Sequence, residues 1–255
     1  MSETFSPAST FSEDSLFHGR LIFRQPKNGY RSSVDAVLAA HFAQPAAADR
    51  VLDLGCGCGV IGLILAHRYP GITVCGLELQ KDLAQLAADN ASRNGYNDRV
   101  QVQRGDVRAI AELLAPESFD LVVCNPPYRR QGSGRLNLDD QAARARHELH
   151  GDLVDFIRAT AFAVCNRGRA VFVYPAQRSA TLLAVLQAHR LTPRRLQPVV
   201  AYPQATKARL ALVEAVKNGG EEFEILAPLP IDAAPNSGPS ALMQAIYTEG
   251  PCSPE

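Results

Sequence analysis

The tetrapeptide Asn125-Pro126-Pro127-Tyr128, entered from the apolar run Phe119–Cys124, is the most chemically specific stretch of the chain. Its residue types make a receptor for a planar group with an exposed amine. Two consecutive prolines donate no backbone N–H, so the turn presents acceptors. The side-chain carbonyl of Asn125 is one acceptor and the backbone carbonyl of Pro126 is a second. Together they can hold both N–H bonds of an amine and aim its lone pair at an electrophile. Where that electrophile is the methyl group of a sulfonium, positive charge develops on nitrogen as the methyl transfers. The two carbonyls then hold the cation more tightly than the neutral amine. The methyl is already activated, so positioning supplies much of the rate. The methylated cation loses its proton readily, so no dedicated base is required. Tyr128 adds a flat face for stacking. Asn125, Pro126 and Tyr128 are therefore the candidate catalytic residues.

A second constellation lies upstream, in Val51-Leu52-Asp53-Leu54-Gly55-Cys56-Gly57-Cys58-Gly59-Val60-Ile61-Gly62. Glycines at 55, 57 and 59 let the backbone turn tightly and approach a ligand. A helix N-terminus follows, with its free N–H groups and positive dipole end. Gly57-x-Gly59-x-x-Gly62 also matches the dinucleotide fingerprint, and Glu78 stands at the end of the next strand, where an acid holds ribose hydroxyls. Loop and acid together admit a nicotinamide dinucleotide or S-adenosylmethionine. Two features favour the methyl donor. Asp53 precedes the first glycine by two residues and can reach a ligand amino group through water. The G-x-G-x-G spacing makes a wide loop suited to a ligand without pyrophosphate. Gly105-Asp106-Val107 closes the third strand, where Asp106 can accept from an adenine amino group or cap a helix. Leu79 and Val107, each beside one of these acids, complete the cofactor-binding set.

These residues need elements to position them. From residue 50 the chain repeats strand, glycine turn, helix: strands at 50–54, 72–77, 100–104, 119–124 and 170–174, helices at 60–69, 81–94, 107–114, 153–165 and 179–189. The pattern predicts an α/β fold with an open, doubly wound, Rossmann-like sheet. The sheet is expected to be mostly parallel, because FDLVVC reads as a continuous apolar strand but for Asp120, as in a strand covered on both faces. Two later runs, 196–201 and 210–216, have no helix between them and read as an antiparallel pair near the C-terminus. Four segments are expected: a mobile N-terminus over 1–15, a strand and helix extension over 16–48, the ligand-binding domain over 49–228, and a Pro-rich end over 229–255 with a short helix near 241–247. Residues 129–150 carry no apolar run, and an interruption of that length inside a domain is functional or disordered.

Composition bounds the rest. The chain has 255 residues, is 46% hydrophobic, and balances 26 Lys+Arg against 26 Asp+Glu, so it is not a globally basic nucleic-acid binder. No run of about 18 apolar residues predicts a membrane span, and the first residues lack a basic start and an apolar stretch, so no signal peptide is expected. Cys56-Gly57-Cys58 has one residue between its thiols and no second pair follows, which fits neither a zinc site nor a redox pair. The other cysteines sit mainly in apolar runs, as reduced thiols of a cytoplasmic protein do.

DLGCGCG at 53–59 with NPPY at 125–128 resembles the class I S-adenosylmethionine-dependent methyltransferases that modify exocyclic amino or amide nitrogens. More narrowly, the chain resembles the bacterial valine-tRNA adenine-N6 methyltransferases, which act at position 37 beside the anticodon. The resemblance spans residues 16–248 and includes RSSVDAVLAAHF, NPPYRRQGSGR and ARHE at 145–148. It implies that Asp53, Gly55, Gly57, Glu78, Asp106 and Asn125 hold S-adenosylmethionine, with Asp35 near its methionine part. It implies N6-methylation of an adenine in tRNA and no metal. Arg129, Arg130, Arg135 and Arg146 follow the catalytic turn as a glycine-spaced basic stretch suited to a flipped-out base and its phosphates. Related acceptors are a protein glutamine, a ribosomal guanine and a DNA adenine. The stretch before residue 50 is short for the helical domain of the glutamine enzymes, and no separate DNA-recognition domain is visible. A nicotinamide oxidoreductase would lack a use for an amine receptor at residue 125.

Overall fold

Alternation along the central strands decides the layering of this protein, which a computed structural model describes over residues 10–27, 34–127 and 151–249. The parallel strands are β3 (Arg50–Leu54), β4 (Thr73–Glu78), β5 (Val100–Arg104), β6 (Phe119–Cys124) and β7 (Val164–Pro175). Leu121 and Val123 enter one apolar cluster, and Val122 and Cys124 enter another. Side chains alternate across a sheet, so a strand buried at successive positions needs cover on both faces. One face is covered by α1 (Val34–Ala43), α2 (Val60–Arg68) and α3 (Lys81–Arg93). The other is covered by the single turn α4 (Ile110–Leu113), by α5 (Leu153–Ala163) and by α6 (Ser179–Ala188). The result is the expected doubly wound α/β sheet.

β8 (Leu191–Val200) and β9 (Ala208–Lys217) complete it, with the short β10 (Glu224–Ile225) and β11 (Leu229–Pro230) on the outer edge of β8. The order across the sheet is β10-β8-β9-β7-β6-β3-β4-β5. β9 runs antiparallel to both β7 and β8, as the sequence led one to expect. The chain leaves β3 for β4 and β5 on one side, then returns to β6 and β7 on the other. The carboxyl ends of β3 and β6 therefore flank the crevice in which open α/β sheets hold ligands.

One segment boundary differs from expectation. The stretch expected to be mobile through residue 15 contains β1 (Phe11–Leu16), which pairs antiparallel with β2 (Leu21–Pro26). The other edge of β2 is closed by side chains from α3 and from Asn94, which caps its C-terminus. Asn94 exchanges two hydrogen bonds with the backbone of Ile22 (3.0 and 2.7 Å), and Asn90 does the same with Arg24 (2.8 and 3.0 Å). Phe17, Leu21 and Phe23 are buried beneath the hairpin and anchor it. The Pro-rich segment from 229 carries the short helix expected near 241–247 and packs on the same body. Leu229 pairs with Val199, and α7 (Ala241–Thr248) buries Met243 and Ile246 in the cluster that holds α1. The backbone N–H of Phe17 donates to Tyr247 (2.9 Å), tying the hairpin turn to α7. Among the described residues, no helix is long and apolar enough to cross a membrane.

Candidate active site

Strand register assembles the candidate residues before any side chain is considered. Leu54 pairs with Cys124 on one side and with Leu77 on the other, and Glu78 pairs with Arg104. The next residues, Gly55, Asn125 and Glu78, thus stand at one level along the carboxyl edge, with Gly105-Asp106 beyond. Three sequence segments far apart in the chain meet in one line because the strands that carry them are in register.

The glycine loop is built by local backbone demands. Gly55, Gly57 and Gly59 have φ of 77°, 57° and 84°, the left-handed region that side chains resist. Space is equally tight. A Cβ on Gly55 would lie 3.0 Å from the ring of Phe156, and one on Gly59 would lie 3.0 Å from Ala87 Cβ. Gly59 is also the N-cap of α2. The Gly55 and Cys56 N–H groups donate to Leu77 (2.8 and 3.1 Å), which fastens the loop to β4.

Two acids brace the loop from below. Glu78, 7% exposed, accepts from the Gly57 N–H (3.0 Å) with one oxygen and from the Gln80 N–H (2.8 Å) with the other. Asp53, only 1% exposed, accepts from the Gly62 N–H (3.1 Å) through Oδ2. Its Oδ1 is buried with no hydrogen-bond partner. An orphaned buried carboxylate oxygen is costly, and burial accordingly pushes the Asp53 carboxyl up from 3.8 to about 7; the Gly62 N–H opposes the shift and the Glu78 charge adds to it. The orphan atom beside a glycine cradle fits a ligand with a positively charged group.

The remaining residues fall as follows. Asn125 and Pro127 are half-buried and Pro126 is buried, directly after β6. Asp106 caps the short turn Val107–Ala109 by accepting from the Arg108 N–H (2.9 Å), and its carboxylate is also paired with the Arg108 guanidinium. Val107 is buried and Leu79 half-buried beside their acids. Asp35 lies in the first turn of α1. The carbonyl of Ala43, at the far end of α1, accepts from Arg169 (3.2 Å) near the amino ends of the strands. α1 therefore runs against the strands, and its first turn returns Asp35 toward the carboxyl edge. Tyr128, Arg129, Arg130, Arg135 and Arg146 lie outside the described residues.

Two positioning residues were not legible beforehand. Phe156 of α5 presses its ring over Gly55 and walls the loop. Asn90, fully buried, donates to the Cys58 carbonyl (3.0 Å) while it holds β2. An asparagine in the body of a helix, at position 90, was the available signal, since asparagine disfavours that position. The cysteines of the loop are structural. Burial pushes the Cys58 thiol up to about 12 and the Cys56 and Cys124 thiols well above their ordinary value. Thiols so held are not nucleophiles.

Comparison with known proteins places this geometry in a family. A family model described as the methyltransferase small domain matches residues 32–152. A curated relative from Porphyromonas gingivalis, named tRNA1(Val) (adenine(37)-N6)-methyltransferase, is 32% identical over 186 residues, 71% of this chain and 72% of that protein. A Vibrio vulnificus protein of the same name is 30% identical over 186 residues, 72% of this chain and 74% of its own. A solved structure of a predicted O-methyltransferase from Agrobacterium tumefaciens superimposes with a TM-score of 0.69 at 22% identity, over 84% of this chain and 95% of that one. At that identity the last likeness concerns the fold.

Proposed function

This chain belongs to the tRNA1(Val) (adenine(37)-N6)-methyltransferase family, within the methyltransferase small-domain group, and from that premise we propose which tRNA atom it modifies and which residues do the work. The protein is an S-adenosylmethionine-dependent N-methyltransferase. The proposed acceptor is N6 of the adenine at position 37 of a valine tRNA, as the relatives are named. The observation that carries the reading is the Leu54–Cys124 register, which sets the glycine loop and the Asn125-Pro126-Pro127 turn side by side at the switch point. Donor and acceptor sites on adjacent strand ends are what a direct transfer needs.

When bound, S-adenosylmethionine supplies a methyl group already activated on a sulfonium. The loop Gly55–Gly59 and Glu78 hold it, Asp53 and Asp35 face its amino-acid end, and Asp106, Leu79 and Val107 lie toward its base. Asn125 Oδ1 and the Pro126 carbonyl accept from the two N–H bonds of the adenine amine and fix its lone pair. Both acceptors stabilise the charge that grows on nitrogen as the new N–C bond forms and the sulfur–methyl bond breaks, with a neutral thioether leaving and the nitrogen's extra proton passing to water. Tyr128 stacks on the flipped base, and Arg129, Arg130, Arg135 and Arg146 meet the phosphates beside it. The same reading puts the protein in the cytoplasm with its tRNA.

The test is incubation with S-adenosylmethionine and unmodified valine tRNA, digestion to nucleosides and mass spectrometry. N6-methyladenosine at position 37 is expected. Donor binding without any methylated nucleoside would move the acceptor to another class.

Asp53 adds a pH dependence. Its carboxyl sits near 7 in the folded chain against 3.8 ordinarily, so the folded state keeps a proton that the unfolded state has lost. Stability from this group is therefore full below about 4 and declines as pH rises through about 7. A ligand ammonium favours the carboxylate and releases that proton. Donor affinity should rise with pH from about 5.5 to 8, by up to roughly tenfold per pH unit below 7 for one coupled proton. Calorimetry should find this slope in the wild type and lose it in Asp53→Asn.

A further inference from the structure

The edge of the sheet beyond β7 rises past the catalytic turn and carries uncommitted cations. Cys124 pairs with Phe172, Phe172 with Val213, and Pro175 with Leu210. β7 thus continues three residues beyond the level of Cys124, about 10 Å at a strand's rise of roughly 3.3 Å per residue. β9 is antiparallel, so it begins at that raised end, with Ala208 paired to Val200. The connection 201–207 and the start of β9 form a wall beside Asn125-Pro126-Pro127, two strands away.

Lys207 and Arg209 stand on this wall, both exposed. Neither forms an ion pair or side-chain hydrogen bond among the described residues. The neighbouring cations of β8 differ. Arg194 is bound to Glu222 (2.6 Å) and to the Gly220 carbonyl (3.0 Å). Arg195 is bound to Glu214 (3.0 Å) and to the Phe42 carbonyl (3.0 Å), with its guanidinium over the Phe42 ring. Asp232, brought alongside by its N–H bond to Ala201 (2.8 Å), lies on the outer side of β8, away from the catalytic turn. In a chain with no net charge, two unpaired cations at the rim of the site mark where an anion is met.

We propose that Lys207 and Arg209 form a phosphate-binding wall that seats the tRNA backbone next to the base delivered to Asn125. The proposal rests on the tRNA reading above. A base splayed from a loop leaves its neighbouring phosphates just outside the pocket, at the height where these two side chains stand. Their contacts are to charge, so they add affinity and register without reading sequence.

The experiment uses the full chain, unmodified valine tRNA and fluorescence anisotropy between about 50 and 200 mM salt. The double variant K207A/R209A should flatten the slope of log affinity against log salt by roughly 1.4, at about 0.7 per single-strand phosphate lost. The swap K207R/R209K should restore the slope, and S-adenosylmethionine affinity should stay as in the wild type. An unchanged slope, in a protein that methylates this tRNA, overturns the wall and leaves the proposed function standing. A slope lost equally in the charge-retaining swap, or lost together with donor affinity, also overturns it. A wild type that neither binds nor methylates tRNA overturns both readings.

Discussion

Asn125→Ala should lower kcat by about two to three orders of magnitude, the loss seen when one preorganised group that stabilises transition-state charge is removed. The reason lies in where charge appears. The adenine amine is neutral when it binds and cationic as the N–C bond forms, so an acceptor on its N–H bonds gains strength only along the reaction coordinate. Removing Oδ1 leaves the Pro126 carbonyl to hold one N–H alone, with the lone pair free to rotate away from the methyl. tRNA affinity should change little, because the phosphates carry it. Donor affinity should fall by less than kcat, because the glycine loop and Glu78 are untouched. Single-turnover methylation with both substrates saturating isolates the step. Near-normal turnover would remove Asn125 from the chemistry. A loss confined to KM would make it a binding residue only.

The line of chemistry at the sheet edge was readable because each part is local. Asn125 follows β6, Glu78 ends β4, and the glycines follow β3 without a gap. Reading the strands was then equivalent to placing the candidate residues. β6 and β5 announce themselves through apolar continuity and alternation, and their observed bounds match the expected ones. β8 is different. It begins at Leu191, before the expected 196, and its first five residues include Pro193 and the Arg194-Arg195 pair, which break the apolar pattern of a strand. Proline is tolerated there since β10 and β11 pair only with 195–196 and 199–200, leaving its edge otherwise open. β1 is polar (FSEDSL) and has no propensity to betray it. Its order comes from pairing with β2 and, beyond that, from Asn90 of α3 and Asn94 at the end of that helix. Such non-local support leaves no mark on the strand's own residues. The same is true of Phe156, which meets Gly55 only because α5 packs over the carboxyl edge. Arg194 and Arg195, adjacent cations in the sequence, are neutralised by Glu222 and Glu214. Charge runs say where cations are, and only the fold says which of them are already spent.

Glu78→Ala should weaken S-adenosylmethionine binding by roughly tenfold to a hundredfold, the range for losing hydrogen bonds to a charged acceptor at about 1.5–3 kcal/mol. Two effects would combine, and they can be separated. In the free protein Glu78 already accepts from the Gly57 and Gln80 N–H groups, so its removal leaves two loop donors without that partner. That part lowers the melting temperature of the free protein and loosens the glycine cradle. The second part is the loss of the acceptors for the donor's ribose hydroxyls, which shows only with ligand present. Glu78→Gln keeps one side-chain oxygen to brace the loop and has no charge to offer the ribose. It should recover most of the melting temperature and little of the affinity. If Gln restores both, Glu78 is a brace for Gly57 and the ribose is held elsewhere. Asp106 gives the internal comparison. Its carboxylate is engaged by Arg108 in an exposed pair, so a ligand must compete for it, and Asp106→Ala should cost less affinity than Glu78→Ala. A larger loss at Asp106 would reverse the two acids' ranking and move the main anchor of the donor from its ribose to its base.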